Sequence, residues 1–580
     1  MDNNPFNHQW KDRKKKFRSV VQVGILAILA YFIVHSVFFI KKHETAAIEE
    51  ENGRGFIALS YFGVDRSGNT KYLSKNELDR QLTILKDQGF ETVSQEQVLE
   101  FYKNGTPLPK KALFLSFEDG RTDSAIFAQG TLEKLGYKAT MFTYADKMDA
   151  KDSKFLKPNH LKSMMKSGFW ELGTNGYRLK YINVFNGEGG YLGELDEEQI
   201  PDKTKVEYYN HYLMDFLKDE FLIPKESHEE MAERITEDYV RMENIYTEKF
   251  GEVPGAYAIM HSNSLYNNLN PLVTQVNDQE IKKQFKIHFN RDRKAYNSRY
   301  ENPMNLNRLQ VAPHWPANHL LMQIQKDSQI PVKFISGDEK VAGMWQPVDG
   351  VAEHRDGQII LTSVPGKEAA LTLQQTIPGN SEITMTLNGN IMGNQTIVLQ
   401  SKKDHSIVKL SLEKNKMSVI RGEADKEEYI QSSYELSEPE WDRKDYAFSK
   451  ATNYTYLDTQ RGSRIDEDEY PSNLKNNRPI KLKFEGDLLR INLDGQEWTV
   501  DTREQGFEEG YWMALSGSSV KQNTTHEQFE DEIYDAIFSD LLIMSGKEPV
   551  YTAFPAATER VKQRVSDRVN KVLDFFIDEI

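Results

Sequence analysis

The 580-residue chain contains no cysteine, which removes disulfides, thiol nucleophiles and cysteine-held zinc together. Any metal would have to be held by His, Asp or Glu, and histidine is scarce at 13 residues. An excess of positive charge is missing too: 73 Lys and Arg face 88 Asp and Glu, a formal net charge of −15. Such a balance argues against a nucleic-acid partner. The composition also lacks the low hydrophobicity of a disordered chain, with 38% hydrophobic and 28% charged residues. A chain of this length exceeds one core and divides into about two to four domains.

What is present begins with a long apolar run. Val20 to Ile40 is 21 residues without a formal charge, and at about 1.5 Å per residue it spans a bilayer core of roughly 30 Å. It runs into Lys41-Lys42 without a small-residue cleavage site, so a retained transmembrane helix is expected at 20–40. Residues 11–18 carry six basic side chains against one acid, which keeps a basic tail, 1–19, in the cytoplasm. After a linker at 41–55, the bulk of the chain is expected outside the cell membrane. Residues 1–43 hold 8 basic and 2 acidic side chains, so the remainder is more acidic still, at −21.

From residue 56 to 329 strands and helices alternate. Phe56–Tyr61, Ala112–Phe117, Ala139–Tyr144 and Trp170–Gly173 are short apolar runs suited to buried strands. Between them, Ser74–Gly89 has Leu78, Leu82 and Leu85 at helical spacing, Asp123–Gly136 turns Ile126, Leu132 and Leu135 inward, and Asn159–Gly168 is capped by Asn159. Units of about 30 residues in this order give a parallel sheet, open or closed into a barrel, with working residues at the carboxyl ends of its strands. Those ends carry Tyr61-Phe62, Glu118-Asp119-Gly120 and Thr174-Asn175-Gly176-Tyr177.

The succession Leu59-Ser-Tyr-Phe62, Gly89-Phe-Glu-Thr-Val93, Leu115-Ser-Phe-Glu-Asp-Gly120, Leu135-Gly-Tyr-Lys-Ala-Thr-Met-Phe142 and Gly168-Phe-Trp-Glu-Leu-Gly173 resembles the NodB-type polysaccharide deacetylases. It is most similar to the extracellular branch that trims N-acetyl groups from poly-N-acetylglucosamine. The resemblance implies a distorted (β/α) barrel and a zinc-like divalent metal held by one Asp and two His, with a second Asp as general base. Carried onto this chain, the base position holds Glu118 and the ligand position Asp119, which makes them the candidate catalytic pair. The two imidazole positions hold Asn175 and Leu179, the Tyr-His of the first motif is Tyr61-Phe62, and the late segment keeps Tyr257 without its proline. Leucine cannot bind a metal and a neutral amide is a weak ligand, so the metal is expected to be absent unless the site is active. Tyr61, Trp170, Asn175, Tyr177, Tyr257 and His314 are the candidate substrate-binding residues. His314 and His319 lie in the loop around Pro313 and Pro316, and His261 and His160 are weaker ligand candidates.

Residues 180–226 form an insertion, read as loop followed by a helix from about Lys203 to Glu220 with Tyr208, Tyr209 and Tyr212. A helix from Ser227 to Phe250 follows, with a stripe of Met231, Ile235, Val240 and Ile245. From 330 to 546 the periodicity changes to two. Ile383/Met385/Leu387, Val408/Leu410/Leu412, Ile480/Leu482/Phe484 and Leu489/Ile491/Leu493 each alternate, as in the strands of a β-sandwich. The sandwich is similar in pattern to concanavalin-like and laminin-G-like modules, which implies glycan binding, with Trp441, Tyr446, Tyr454 and Tyr456 in an acidic excursion, Glu423–Tyr470, as stacking candidates. The segment 547–580 is read as an amphipathic helix, with Val561, Val565, Val569, Val572 and Phe576 on one face.

Two functions fit these features. One is a membrane-tethered protein with a degenerate deacetylase barrel that binds an N-acetylated exopolysaccharide or cell-wall glycan and assists its synthesis machinery. The other is an active, divergent N-deacetylase of such a polymer.

Overall fold

The computed structural model describes residues 43, 51–186, 188–196, 199, 206–260, 269–292, 294–422, 427–439, 474–503, 505–519 and 531–553. The expected membrane helix at 20–40, His261, Trp441, Tyr446, Tyr454, Tyr456 and the helical stripe after residue 556 lie outside these. Among the described residues no helix is long and apolar enough to cross a membrane.

Seven parallel strands close a ring: β1 (Gly55–Tyr61), β2 (Ala112–Phe117), β3 (Ala139–Tyr144), β4 (Trp170–Gly176), β5 (Ala256–Ala258), β6 (Ile287–Asp292) and β7 (Leu306–Gln310). Each pairs with the next in sequence and β7 returns to β1. Alternation along the strands gives the barrel two separate cores. Phe56, Ala58, Phe114, Phe142, Ala258 and Phe289 fill the inside, whereas Ile57, Leu59, Leu113 and Leu115 face the surrounding helices.

The helices are α1 (Lys75–Asp87), α2 (Gln95–Asn104), α3 (Thr122–Leu135), α4 (Pro158–Ser167), α5 (His228–Phe250), α6 (Pro271–Gln284) and α7 (Ala317–Ser328). Ser74 caps α1, and Ser227 and Glu230 form a reciprocal capping box on α5. Three local expectations change. The α4 cap is Lys157 rather than Asn159, because Pro158 takes the first helical position, where its missing N–H costs nothing. Ile126 on α3 is 63% exposed, and Ala125, Ala128 and Leu132 make the buried face instead. On α5 the inward stripe runs Met231, Ile235, Tyr239, Met242 and Tyr246, one position off Val240 and Ile245.

Among the described residues of the insertion, the segment expected to be helical is strand and turn instead. Lys180–Asn186 pairs antiparallel with both Tyr191–Asp196 and Val206–His211, and Tyr181, Val184, Val206 and Tyr209 bury their side chains together. Aromatic and β-branched residues at alternating positions favour a pleated surface over a helix there.

Beyond the barrel, two antiparallel sheets of seven and eight strands among the described residues run from Trp345 to Thr552 and bury one common core. The alternating triplets read from the sequence all face that core. Asp494 and Gly495, both at positive φ, make the hairpin turn between Leu488–Leu493 and Gln496–Asp501. Tyr429–Glu435, inside the expected excursion, adds an edge strand beside Lys416–Gly422. Glu548–Thr552 is a strand against Asp535–Ser545, not the start of a helix.

The two regions meet along α1 and α7. Arg80 and Glu353 form an ion pair, Arg355 Nη1 lies 3.1 Å from Glu77 Oε2, and the Glu353 side chain is fully buried. His319 reaches Asp531 and Asp535, and the Trp315 Nε1–H donates to Asp531 at 3.0 Å. The connecting segment is pinned to the barrel by paired bonds between Gln88 and the Lys333 backbone.

Candidate functional site

The carboxyl ends of the strands hold a buried polar cluster inside the barrel. Ser60, Glu118 and Arg308 continue the inward parity of Phe56–Ala58, Phe114 and Leu306. The Ser60 hydroxyl donates to Glu118 Oε1 at 2.5 Å, and Arg308 donates Nε–H to Oε1 at 2.8 Å and Nη2–H to Oε2 at 3.4 Å. Burial alone would raise the Glu118 carboxyl. The Arg308 charge and the hydrogen bonds from Arg308 and Ser60 outweigh it and hold the group below its ordinary value. Glu118 is therefore a fixed anion, less basic than a free glutamate.

At Asp119 the chain turns sharply. Asp119 and Gly120 both have positive φ, at 64° and 61°, and a side chain at 120 would meet Thr143 within 2.8 Å, so only glycine fits there. Asn175 braces this turn: its Oδ1 accepts the Asp119 N–H at 3.2 Å, and its Nδ2 donates to the Ala258 carbonyl at 3.0 Å. Both ends of the amide are thus committed to the backbone, of the turn after β2 and of β5. Leu179 packs with the insertion core and borders the same opening.

Above Asp119 lies a depression bordered by cations. Lys71, Arg121, Lys147 and Lys154 line it together with Phe62, Tyr72, Tyr144 and Phe155. Phe62 and Tyr72 stack at 6.0 Å, the Arg121 guanidinium lies 4.2 Å over the Tyr72 ring, and Lys147 and Lys154 sit 5.4 and 5.1 Å over Phe155. Thr122 N–H bonds the Lys154 carbonyl and Leu156 N–H that of Gly120, which draws the 154–156 segment to the mouth. Burial pushes the Tyr144 phenol well above its usual range and Asp146 up to about 6, the latter despite Lys147 and Arg178 nearby.

The other residues expected in the site are dispersed. Tyr61, Trp170 and Tyr257 occupy outward positions of their strands and lie in the core beneath the helices, each 2% exposed or less. The Tyr61 hydroxyl donates to Gln81, the Trp170 indole donates to Gln129, and Tyr257 stacks on Phe285 and His288. Their side chains face away from the mouth, a consequence of the two-residue period. Tyr177 is half-buried beside Arg178. His314 sits at the boundary with the sheets, where burial and the neighbouring His319 push it down to about 4, and His160 is exposed on α4. Sequence reasoning missed Arg308, although an arginine at an inward position between Leu306 and Leu309 was a visible signal. It also missed the cations, which are spread over three loops.

The residues do not fit the metal that a NodB-type site implies. Leu179 offers no donor atom, the Asn175 oxygen is spent on a backbone N–H, and four cations ring Asp119 where a divalent cation would bring more positive charge. Among the described residues no three His, Asp or Glu side chains are grouped to hold a metal ion.

Residues 105–257, within the barrel, match the family model for polysaccharide deacetylase. The poly-beta-1,6-N-acetyl-D-glucosamine N-deacetylase of Escherichia coli (strain K12) is 36% identical over 69 residues, 11% of this chain and 10% of that protein. The match thus spans about a tenth of that relative's length. Among solved structures, a de-N-acetylase from Aggregatibacter actinomycetemcomitans is 18% identical with a TM-score of 0.36, covering 45% of this chain and 96% of that one. IcaB from Ammonifex degensii is 18% identical with a TM-score of 0.33, covering 46% and 95%. Similarity at this level identifies no activity.

Proposed function

We propose that this protein is a membrane-anchored, extracellular glycan-binding member of the polysaccharide deacetylase group whose barrel has lost metal-dependent hydrolysis. The observation that carries the reading is Asn175: the residue at an imidazole position is a structural brace, hydrogen-bonded at both ends to main chain. Glu118, paired with Arg308, supports it as a fixed charge rather than a poised base. The apolar run at 20–40 supports anchoring and the acidic remainder an exterior location. The relative's name points to an N-acetylglucosamine polymer as the glycan class, and the sheets, taken as a sandwich, add a second surface to hold it. The expected anchor supports a place beside the machinery that makes or exports such a polymer.

The test is metal content together with acetate release. The full chain, stripped and then offered zinc, cobalt or nickel, is expected to retain no stoichiometric metal and to release no acetate from acetylated chitooligosaccharides. Stoichiometric metal, with acetate release abolished by Glu118→Ala and by Asp119→Ala, would establish the divergent N-deacetylase instead.

A further inference from the structure

The mouth of the barrel is the wrong sign for the rest of the molecule. The chain has a formal net charge of −15, yet the depression over Asp119 gathers Lys71, Arg121, Lys147 and Lys154, with Asp119 as the carboxylate among the residues lining it. Some of this charge is already answered: Arg121 Nη2 lies 3.3 Å from Asp123, and Lys147 lies 3.9 Å from Asp146. The ammonium groups of Lys71 and Lys154 have no acidic partner among the described residues and rest instead over the Phe62 and Phe155 rings. Two polar groups at the same place are buried without a hydrogen-bond partner among the described residues. The Tyr144 hydroxyl belongs to a residue 3% exposed, and Arg121 Nε to one 7% exposed. A buried donor left unmatched costs free energy unless something binds it.

Unmatched donors, unpaired cations and flat aromatic rings in one depression describe a receptor for a sugar bearing a negative charge. The rings offer faces for the pyranose, and the guanidinium, ammonium and phenol groups offer hydrogen bonds to anionic oxygens. We infer that the barrel mouth binds an anionic group of a glycan, a carboxylate or a phosphodiester, against Lys71, Arg121, Lys154 and the Tyr144 hydroxyl, in the place where the family holds its metal. This rests on the glycan-binding reading above and narrows it from N-acetylated polymers in general to acidic ones. The acidic remainder of the surface would repel such a polymer elsewhere and confine its contact to this cleft.

Isothermal titration of the full chain with tetragalacturonate, a glycerol-phosphate oligomer and chitotetraose tests the inference. At least one anionic oligomer is expected to bind about tenfold or more tightly than chitotetraose, and the margin is expected to shrink as salt is raised. Preference for tetragalacturonate assigns a carboxylate, and preference for the glycerol-phosphate oligomer a phosphate. The double variant Lys71→Ala/Lys154→Ala changes only partly or fully exposed side chains and is expected to erase the margin with its melting curve unchanged. Tyr144→Phe, which removes one hydroxyl, is expected to weaken anionic binding about threefold to tenfold. Equal or tighter binding of chitotetraose, or anionic binding indifferent to these variants, overturns the inference and leaves glycan binding by the barrel standing. Failure of every oligomer to bind overturns both.

Discussion

His319 on α7 lies with its Nδ1 2.7 Å from Asp535 Oδ2, across the boundary between the barrel and the sheets. Its Nε2 is 3.1 Å from Asp531 Oδ2, and its ring stacks on Trp315 at 4.3 Å. One imidazole from the barrel thus sits between two carboxylates from the sheets, with His314 and Lys475 as the neighbouring basic groups.

That arrangement sets a pH dependence. Burial alone would lower the His319 pKa, but Asp531 and Asp535 outweigh it and raise it from 6.5 to about 10. The imidazolium therefore contributes its full stability below the ordinary value and loses it as pH rises through about 10. The melting temperature of the full chain is expected to fall as pH rises from about 6.5 to about 10. His319→Gln should lower it at neutral pH by roughly 3–5 kcal/mol of stability and flatten that alkaline slope. Calorimetry across the range checks both.

A second buried pair responds to substitution one side at a time. Arg308→Met leaves the Glu118 carboxylate buried without its cation, which is expected to cost roughly 3–5 kcal/mol. The double variant Glu118→Gln/Arg308→Met removes both charges and is expected to recover much of that loss, giving a large coupling energy in urea unfolding.

Asn175→Ala removes the brace between the Asp119 turn and β5. The loss expected is about 1–3 kcal/mol, because a buried N–H and a buried carbonyl each lose a partner. Metal content is expected to be the same in the variant and the parent. Thermal melting with elemental analysis reads both.

Trp170 tests the distinction between core and cleft. Trp170→Ala is expected to destabilise the chain by roughly 3–5 kcal/mol through a cavity beneath the helices. Glycan affinity of the protein that remains folded is expected to be unchanged, as titration below the melting transition would show.

Much of the architecture was legible because periodicity reports burial directly. The runs Ala112–Phe117 and Ala139–Tyr144 are strands with those bounds, and Leu78, Leu82 and Leu85 bury the face of α1 that their spacing indicates. The insertion misread as a helix shows the limit: Tyr208, Tyr209 and Tyr212 satisfy a helical spacing, but pairing with Lys180–Asn186 decides the outcome from a distance. At the site, a motif gives a residue's position along a strand but not its face. Tyr61 and Ser60 are neighbours in sequence, and only Ser60 points into the barrel. The cation cluster was out of reach because Lys71, Arg121 and Lys154 come together only after the ring closes.

Helix α1 has a further consequence. Its leucines belong to the barrel, while Glu77 and Arg80 engage Arg355 and Glu353 of the sheets, so the same thirteen residues serve two cores. Cutting the chain between the regions would strand a buried glutamate without one of its two arginines on one side and strip a helix of its outer contacts on the other. The barrel and the sheets are thus expected to unfold in a single calorimetric transition, as one cooperative unit rather than two beads on a tether.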